Sequence, residues 1–78
     1  MERQERADIE DVHAEARRRL REVRIDEWRR REFITGRGMP HDIQHFASQV
    51  EFAATAIARL SPIPLDFDDD VYWPRYWG

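Results

Sequence analysis

The sequence predicts an all-α fold: a small helical hairpin or three-helix domain, followed by an extended acidic, aromatic C-terminal tail. Three observations carry this expectation. Apolar residues recur with helical spacing from Ile43 to Leu60, and a second such stripe runs from Ile9 to Val23. Ser61-Pro62-Ile63-Pro64 then halts the periodicity before an ending rich in aspartate, tyrosine and tryptophan. The expected boundaries are a helical domain over 1–64 and a tail over 65–78.

In the first stripe, Ile9, Val12, Ala16, Leu20 and Val23 follow one another at steps of three or four residues and so share one helix face. Asp8, Glu10 and Asp11 sit where the helix dipole favours negative charge, and arginines dominate the later turns. Glu15 and Arg19 form an acid-before-base pair at i,i+4, worth a few tenths of a kcal/mol on a surface. The stripe fails after Val23, because Ile25 and Trp28 are out of phase with it. We expect one long helix bent near Ile25, or a new short helix with Asp26 as its N-cap running through 27–34. Thr35-Gly36-Arg37-Gly38-Met39-Pro40 breaks it.

The second stripe, Ile43, Phe46, Val50, Ala53, Ile57 and Leu60, is widened by Ala47 and Ala54. It predicts a helix over 42–60 that packs antiparallel on the first. Pro40 and Asp42 suit its opening turn. Ser61 precedes a proline and is biased towards extended backbone. Phe52 lies about 140° from the centre of the stripe, with His45, Gln49 and Ala56. It needs cover from Trp73 or Tyr76 of its own tail, from a second copy, or from a different partner.

The tail spends Phe67, Tyr72, Trp73, Tyr76 and Trp77 beside Asp66, Asp68, Asp69 and Asp70. Aromatic side chains of this kind bury much area and keep a polar tip, which makes them frequent binding anchors. The tail therefore either completes the core or docks in a groove. The expected partner-binding residues are Phe52, Phe67, Asp68, Asp69, Asp70, Tyr72, Trp73, Tyr76 and Trp77.

Charge is segregated along a chain of net charge −3. Residues 1–16 carry six acids and two arginines, whereas 17–37 carry nine arginines and four acids. All thirteen basic residues are arginine, a permanently charged planar donor. The runs Arg17-Arg18-Arg19 and Arg29-Arg30-Arg31 are candidate phosphate contacts. Interleaved acids and a negative total make nucleic acid the secondary expectation. A self-associating structural adaptor is another alternative.

Without cysteine there is neither a disulfide nor a thiolate zinc site. His41 and His45 stand at i,i+4 but no third ligand accompanies them. The aspartates from Asp66 to Asp70 begin like a calcium loop, yet Val71 and Trp77 occupy the positions where that loop needs glycine and glutamate. No phosphate-binding loop or nucleophile–base set is present, so no catalytic residue, metal or cofactor is expected. No apolar run approaches the roughly 20 residues that span a bilayer. The polar opening Met1-Glu2-Arg3-Gln4-Glu5-Arg6 lacks a signal-peptide core, and a cytoplasmic location is expected.

A patterned stretch runs Phe33-Ile34-Thr35-Gly36-Arg37-Gly38-Met39-Pro40, then Asp42-Ile43, Gln49-Val50-Glu51-Phe52-Ala53-Ala54 and Leu60-Ser61-Pro62-Ile63-Pro64, and ends on Asp69-Asp70-Val71-Tyr72-Trp73-Pro74. Across roughly 33–74 it resembles the QseM-like antiactivators of alphaproteobacterial integrative and conjugative elements. The resemblance implies a small cytoplasmic protein that binds a transcriptional activator, such as a LuxR-type quorum-sensing regulator, and so holds element transfer off. It assigns no individual residue. The expected function is a non-enzymatic regulator that inhibits by binding a transcriptional activator.

Overall fold

A computed structural model describes residues 6–76. Three helices and a one-turn 3-10 segment follow in order: α1 Ile9–Glu22, α2 Ile25–Thr35, α3 His41–Ala58, and the 3-10 turn Asp70–Tyr72. No strand occurs among the described residues, and the fold is all-α as the two stripes require.

Helix α1 begins with a reciprocal capping box. The Asp8 carboxylate accepts from the Asp11 N–H at 3.0 Å, and the Asp8 N–H donates to the Asp11 carboxylate at 2.9 Å. Two of the orphan donors of the first turn are thereby satisfied. Val12, Ala16 and Leu20 are buried. Ile9 belongs to the same stripe but is half exposed. The reason is the length of α3, which ends at Ala58 and leaves only the Leu60–Ile63 segment beside the first turn of α1. That placement also makes α1 and α3 antiparallel, with Arg19 and Val23 at the opposite end near Phe46.

The expectation of a long bent helix is replaced by two helices. Arg24 is left-handed, with φ 58°, and it rather than Asp26 is the N-cap of α2, without a side-chain hydrogen bond. Asp26 lies inside the first turn. A non-glycine residue in this conformation costs about 1–2 kcal/mol. The turn it makes swings Ile25, which is off phase for a continuous helix, into the core. Burying such a side chain contributes about 1.5–3 kcal/mol, enough to offset the strain.

Helix α2 closes on Gly36, whose φ of 74° is the left-handed geometry that glycine adopts freely. The linker is pinned from both sides. Glu32 accepts the Met39 N–H at 3.2 Å, and the Gln44 side-chain amide donates to the Met39 carbonyl at 3.1 Å. Helix α3 then buries Ile43, Phe46, Ala47, Val50, Ala54 and Ile57 against α1. Its end falls a residue pair earlier than the stripe suggested. Arg59 and Leu60 take tight i→i+3 bonds to Ala56 and Ile57, and Leu60 turns outward.

The tail folds back in successive turns, with Phe67 N–H on Pro64 O, Asp69 N–H on Asp66 O and Tyr72 N–H on Asp69 O. It delivers Trp73 into the same core as Val12, Leu20, Phe46 and Val50. The molecule is nevertheless long, 45 × 24 × 19 Å with a radius of gyration of 14.4 Å. A compact chain of this length would have a radius of roughly 11–12 Å. Helix α2 contributes to this length: it packs mainly on α1, and Ile25 is its single buried residue.

Candidate partner-binding surfaces

The residues expected to bind a partner divide into three groups. Trp73 is 5% exposed and belongs to the core, and Phe67 and Tyr72 are half-buried against that core. Asp68, Asp69, Asp70 and Tyr76 are exposed, but each is engaged locally through its backbone or side chain. Phe52 stands in solvent, 78% exposed. Trp77 lies outside the described residues.

Arg19 organises the inward group. Its guanidinium donates to Glu15 at 2.7 Å, to the Asp68 carbonyl at 2.7 Å and to the Asp70 carboxylate at 2.9 Å. Its carbon lies 5.2 Å from the Trp73 ring centroid, a cation–π distance. The Trp73 indole N–H donates to the Phe67 carbonyl at 2.7 Å. The Glu15–Arg19 pair that the helix pattern suggested as a surface contact is thus buried, and it fastens the tail to α1. Nothing in the periodicity distinguishes Arg19 from its neighbours; it flanks the stripe between Ala16 and Leu20.

Asp69 caps the 3-10 turn by accepting from the Val71 N–H at 3.0 Å. Tyr76 packs edge-on against Phe46, with ring centroids 5.5 Å apart, and donates its hydroxyl to Asp42 at 2.8 Å. Tyr72 donates its hydroxyl to Asp66 at 3.1 Å. Both carboxylate contacts push the tyrosine hydroxyls above their ordinary value. Among the described residues, neither Trp73 nor Tyr76 covers Phe52.

The arginine run of α1 is partly consumed by these contacts. Arg18 forks onto Glu15 and also reaches Glu22, and those partners push its already high value further up. Hydrogen bonds from Arg18, and then from Arg19, hold the Glu15 carboxyl below the usual carboxylate range against the opposing effect of burial. A carboxylate with a depressed folded value stabilises the fold fully above its unfolded value of about 4.5, and that stability is lost as pH falls through the lower folded value. Glu15→Gln is therefore expected to lower the urea midpoint near neutral pH, with the gap to wild type closing in acid. A gap of constant size across the titration would contradict the assignment.

Sequence reasoning overlooked Phe33 and Ile34, which are 90% and 72% exposed at the distal end of α2. The available signal was their phase: both are out of register with Ile25 and Trp28, the residues that turn α2 towards the core. His41 and His45 are exposed, and no group of three potential metal ligands occurs among the described residues. Comparison with protein families, curated proteins and solved structures finds no match to this chain. The fold and surface define the class: a small all-α hairpin, closed by its own tail, with large apolar side chains left outside.

Proposed function

We propose that the chain is a non-enzymatic regulator that binds a transcriptional activator and holds it inactive, in the manner of the antiactivators it resembles. A LuxR-type quorum-sensing activator controlling conjugative transfer is the partner that resemblance implies, in the cytoplasm. The observation that carries the reading is the pair of phenylalanines left in solvent, Phe33 and Phe52, by a domain whose other described aromatic rings are packed or hydrogen-bonded. Exposed aromatic rings offer large area at low entropic cost to another molecule that can cover them. Inhibition requires only that the chain bind the inactive form of the activator more tightly than the active form.

The test is a reporter gene driven by a LuxR-type activator, with the chain co-expressed at graded levels. Output should fall in proportion to the chain and reach its floor near equimolar amounts. Unchanged output would end the reading, and so would full repression at trace amounts. Phe52→Ala is expected to weaken co-purification with the activator while the helical circular-dichroism signal is kept. Unchanged recovery would remove Phe52 from the contact.

The reading of the central arginines as a nucleic-acid surface is weakened by the ion pairs that occupy Arg18 and Arg19. A steep fall in affinity for an oligonucleotide with rising salt would restore it.

A further inference from the structure

Helix α2 turns Ile25 and Trp28 towards the core and leaves Phe33 and Ile34 in solvent. At 100° per residue, Arg30 lies about 170° from the midpoint of Ile25 and Trp28, with Phe33 on one side of it and Ile34 on the other. The outer face of the helix is thus an apolar pair straddling an arginine. Arg31 stacks over Trp28 at 4.9 Å, beside a groove that continues along Thr35, Arg37, Met39 and Pro40. Residues 29–37 carry four arginines and one acid, in a chain whose total charge is −3. That single acid, Glu32, is turned to the Met39 N–H. Arg30 and Arg37 form no ion pair among the described residues.

We propose that the outer face of α2 around Phe33, Ile34 and Arg30 docks an acidic segment of a protein partner that brings its own apolar anchors, in the form of an amphipathic helix. The proposal rests on the reading of this chain as a protein-binding regulator, and it names the surface and the chemistry of the partner. Charge complementarity selects the occupant. Residues 29–37, from the distal half of α2 into the linker, are net +3 with two arginines uncompensated, so carboxylates on the partner gain contacts that no group of this chain already makes. Phosphates fit less well. Asp26 and Glu27 share the outer face and repel them. The same two acids give the site a direction: the partner's carboxylates lie towards Arg30 and Arg37, and its neutral or basic end lies towards Asp26 and Glu27.

The experiment is an amide-resolved NMR titration of the full chain with a synthetic amphipathic peptide built from leucine on one face and glutamate on the other. Its lysine counterpart and a thymidine oligonucleotide serve as competitors of different chemistry. The expected result is that the glutamate peptide shifts amides between 29 and 39 and the lysine peptide does not. Phe33→Ala with Ile34→Ala, and separately Arg30→Glu with Arg37→Glu, should each weaken that binding by about tenfold or more, with the circular-dichroism spectrum unchanged. Absence of binding, shifts centred on Phe52 or the tail, or equal binding of the lysine peptide would overturn the proposal. So would tighter binding of the oligonucleotide at these amides, or shifts there on dilution of the chain alone, which would point to nucleic acid and to a second copy respectively.

The reporter assay separates the two failures. A Phe33→Ala/Ile34→Ala chain that represses as well as wild type removes this surface and keeps the regulator. A wild-type chain that does not repress, while the glutamate peptide still lands on α2, keeps the surface and removes the regulator.

Discussion

Trp73→Ala is expected to lower folding stability by about 3–5 kcal/mol, the usual cost of emptying a large aromatic site in a core. The ring is 5% exposed and joins the tail to Val12, Leu20, Phe46 and Val50. Its indole N–H satisfies the Phe67 carbonyl at 2.7 Å, so truncation also leaves that acceptor unpartnered. A domain of 78 residues has a total stability of roughly 4–12 kcal/mol, so this one change removes about a quarter of it or more. The thermal midpoint should drop by about 15–25 °C, followed by circular dichroism at helical wavelengths. Trp73→Phe keeps the ring and loses the donor, and should cost about 1–2 kcal/mol. A Trp73→Ala midpoint within a few degrees of wild type would mean that the tail is not part of the cooperative unit.

Arg19→Met should cost about 2–4 kcal/mol in a urea titration. Removing one partner from a buried ion pair typically costs 3–5 kcal/mol. Two features reduce that here: Glu15 keeps its fork to Arg18, and Asp70 is exposed enough to be rehydrated. Arg19→Lys should recover only part of the loss. A single ammonium cannot hold Glu15, the Asp68 carbonyl and Asp70 together while stacking on Trp73. Because Arg19 and Trp73 touch, the double variant should be less damaging than the sum of the two. Additive losses would show that the stack contributes nothing, and an Arg19→Met midpoint equal to wild type would remove the clamp altogether.

The hairpin was legible because its signal is periodic. Of the residues that the 3.6-residue repeat selects, Val12, Ala16 and Leu20 in α1 and Ile43, Phe46, Val50 and Ile57 in α3 are buried, whereas Val23 and Ala53 are half-buried and the end positions Ile9 and Leu60 are exposed. The break at Arg24 was legible only as a loss of phase. A left-handed arginine has no compositional mark, and the burial of Ile25 that offsets its strain is a tertiary effect. The destination of the tail was not legible. Aromatic and aspartate residues in an irregular segment have no repeat that assigns them a face, and Trp73 has the same composition signal whether it serves the core or a partner. Arg19 was hidden for the opposite reason, since an i,i+4 pair with Glu15 looks like any solvated ion pair until the tail covers it. Phe52 was visible as an out-of-phase ring on a regular helix. Phe33 and Ile34 were not singled out as contacts because, in a helix of 11 residues, only Ile25 and Trp28 set the phase that they depart from.

The single buried residue of α2 also sets how the molecule opens. α1, α3 and the tail share one core and should lose protection together, whereas α2 is held by Ile25, by the half-buried Trp28 and by the hydrogen bonds around Met39. Native-state hydrogen exchange should therefore find the α2 amides released at a lower free energy than those of α1 and α3, as a separate cooperative unit. A helix that melts and reforms without disturbing its neighbours reaches a partner's surface in more than one orientation. Whatever seats itself on Phe33 and Ile34 would freeze that helix, and the free energy of ordering it would come out of the affinity.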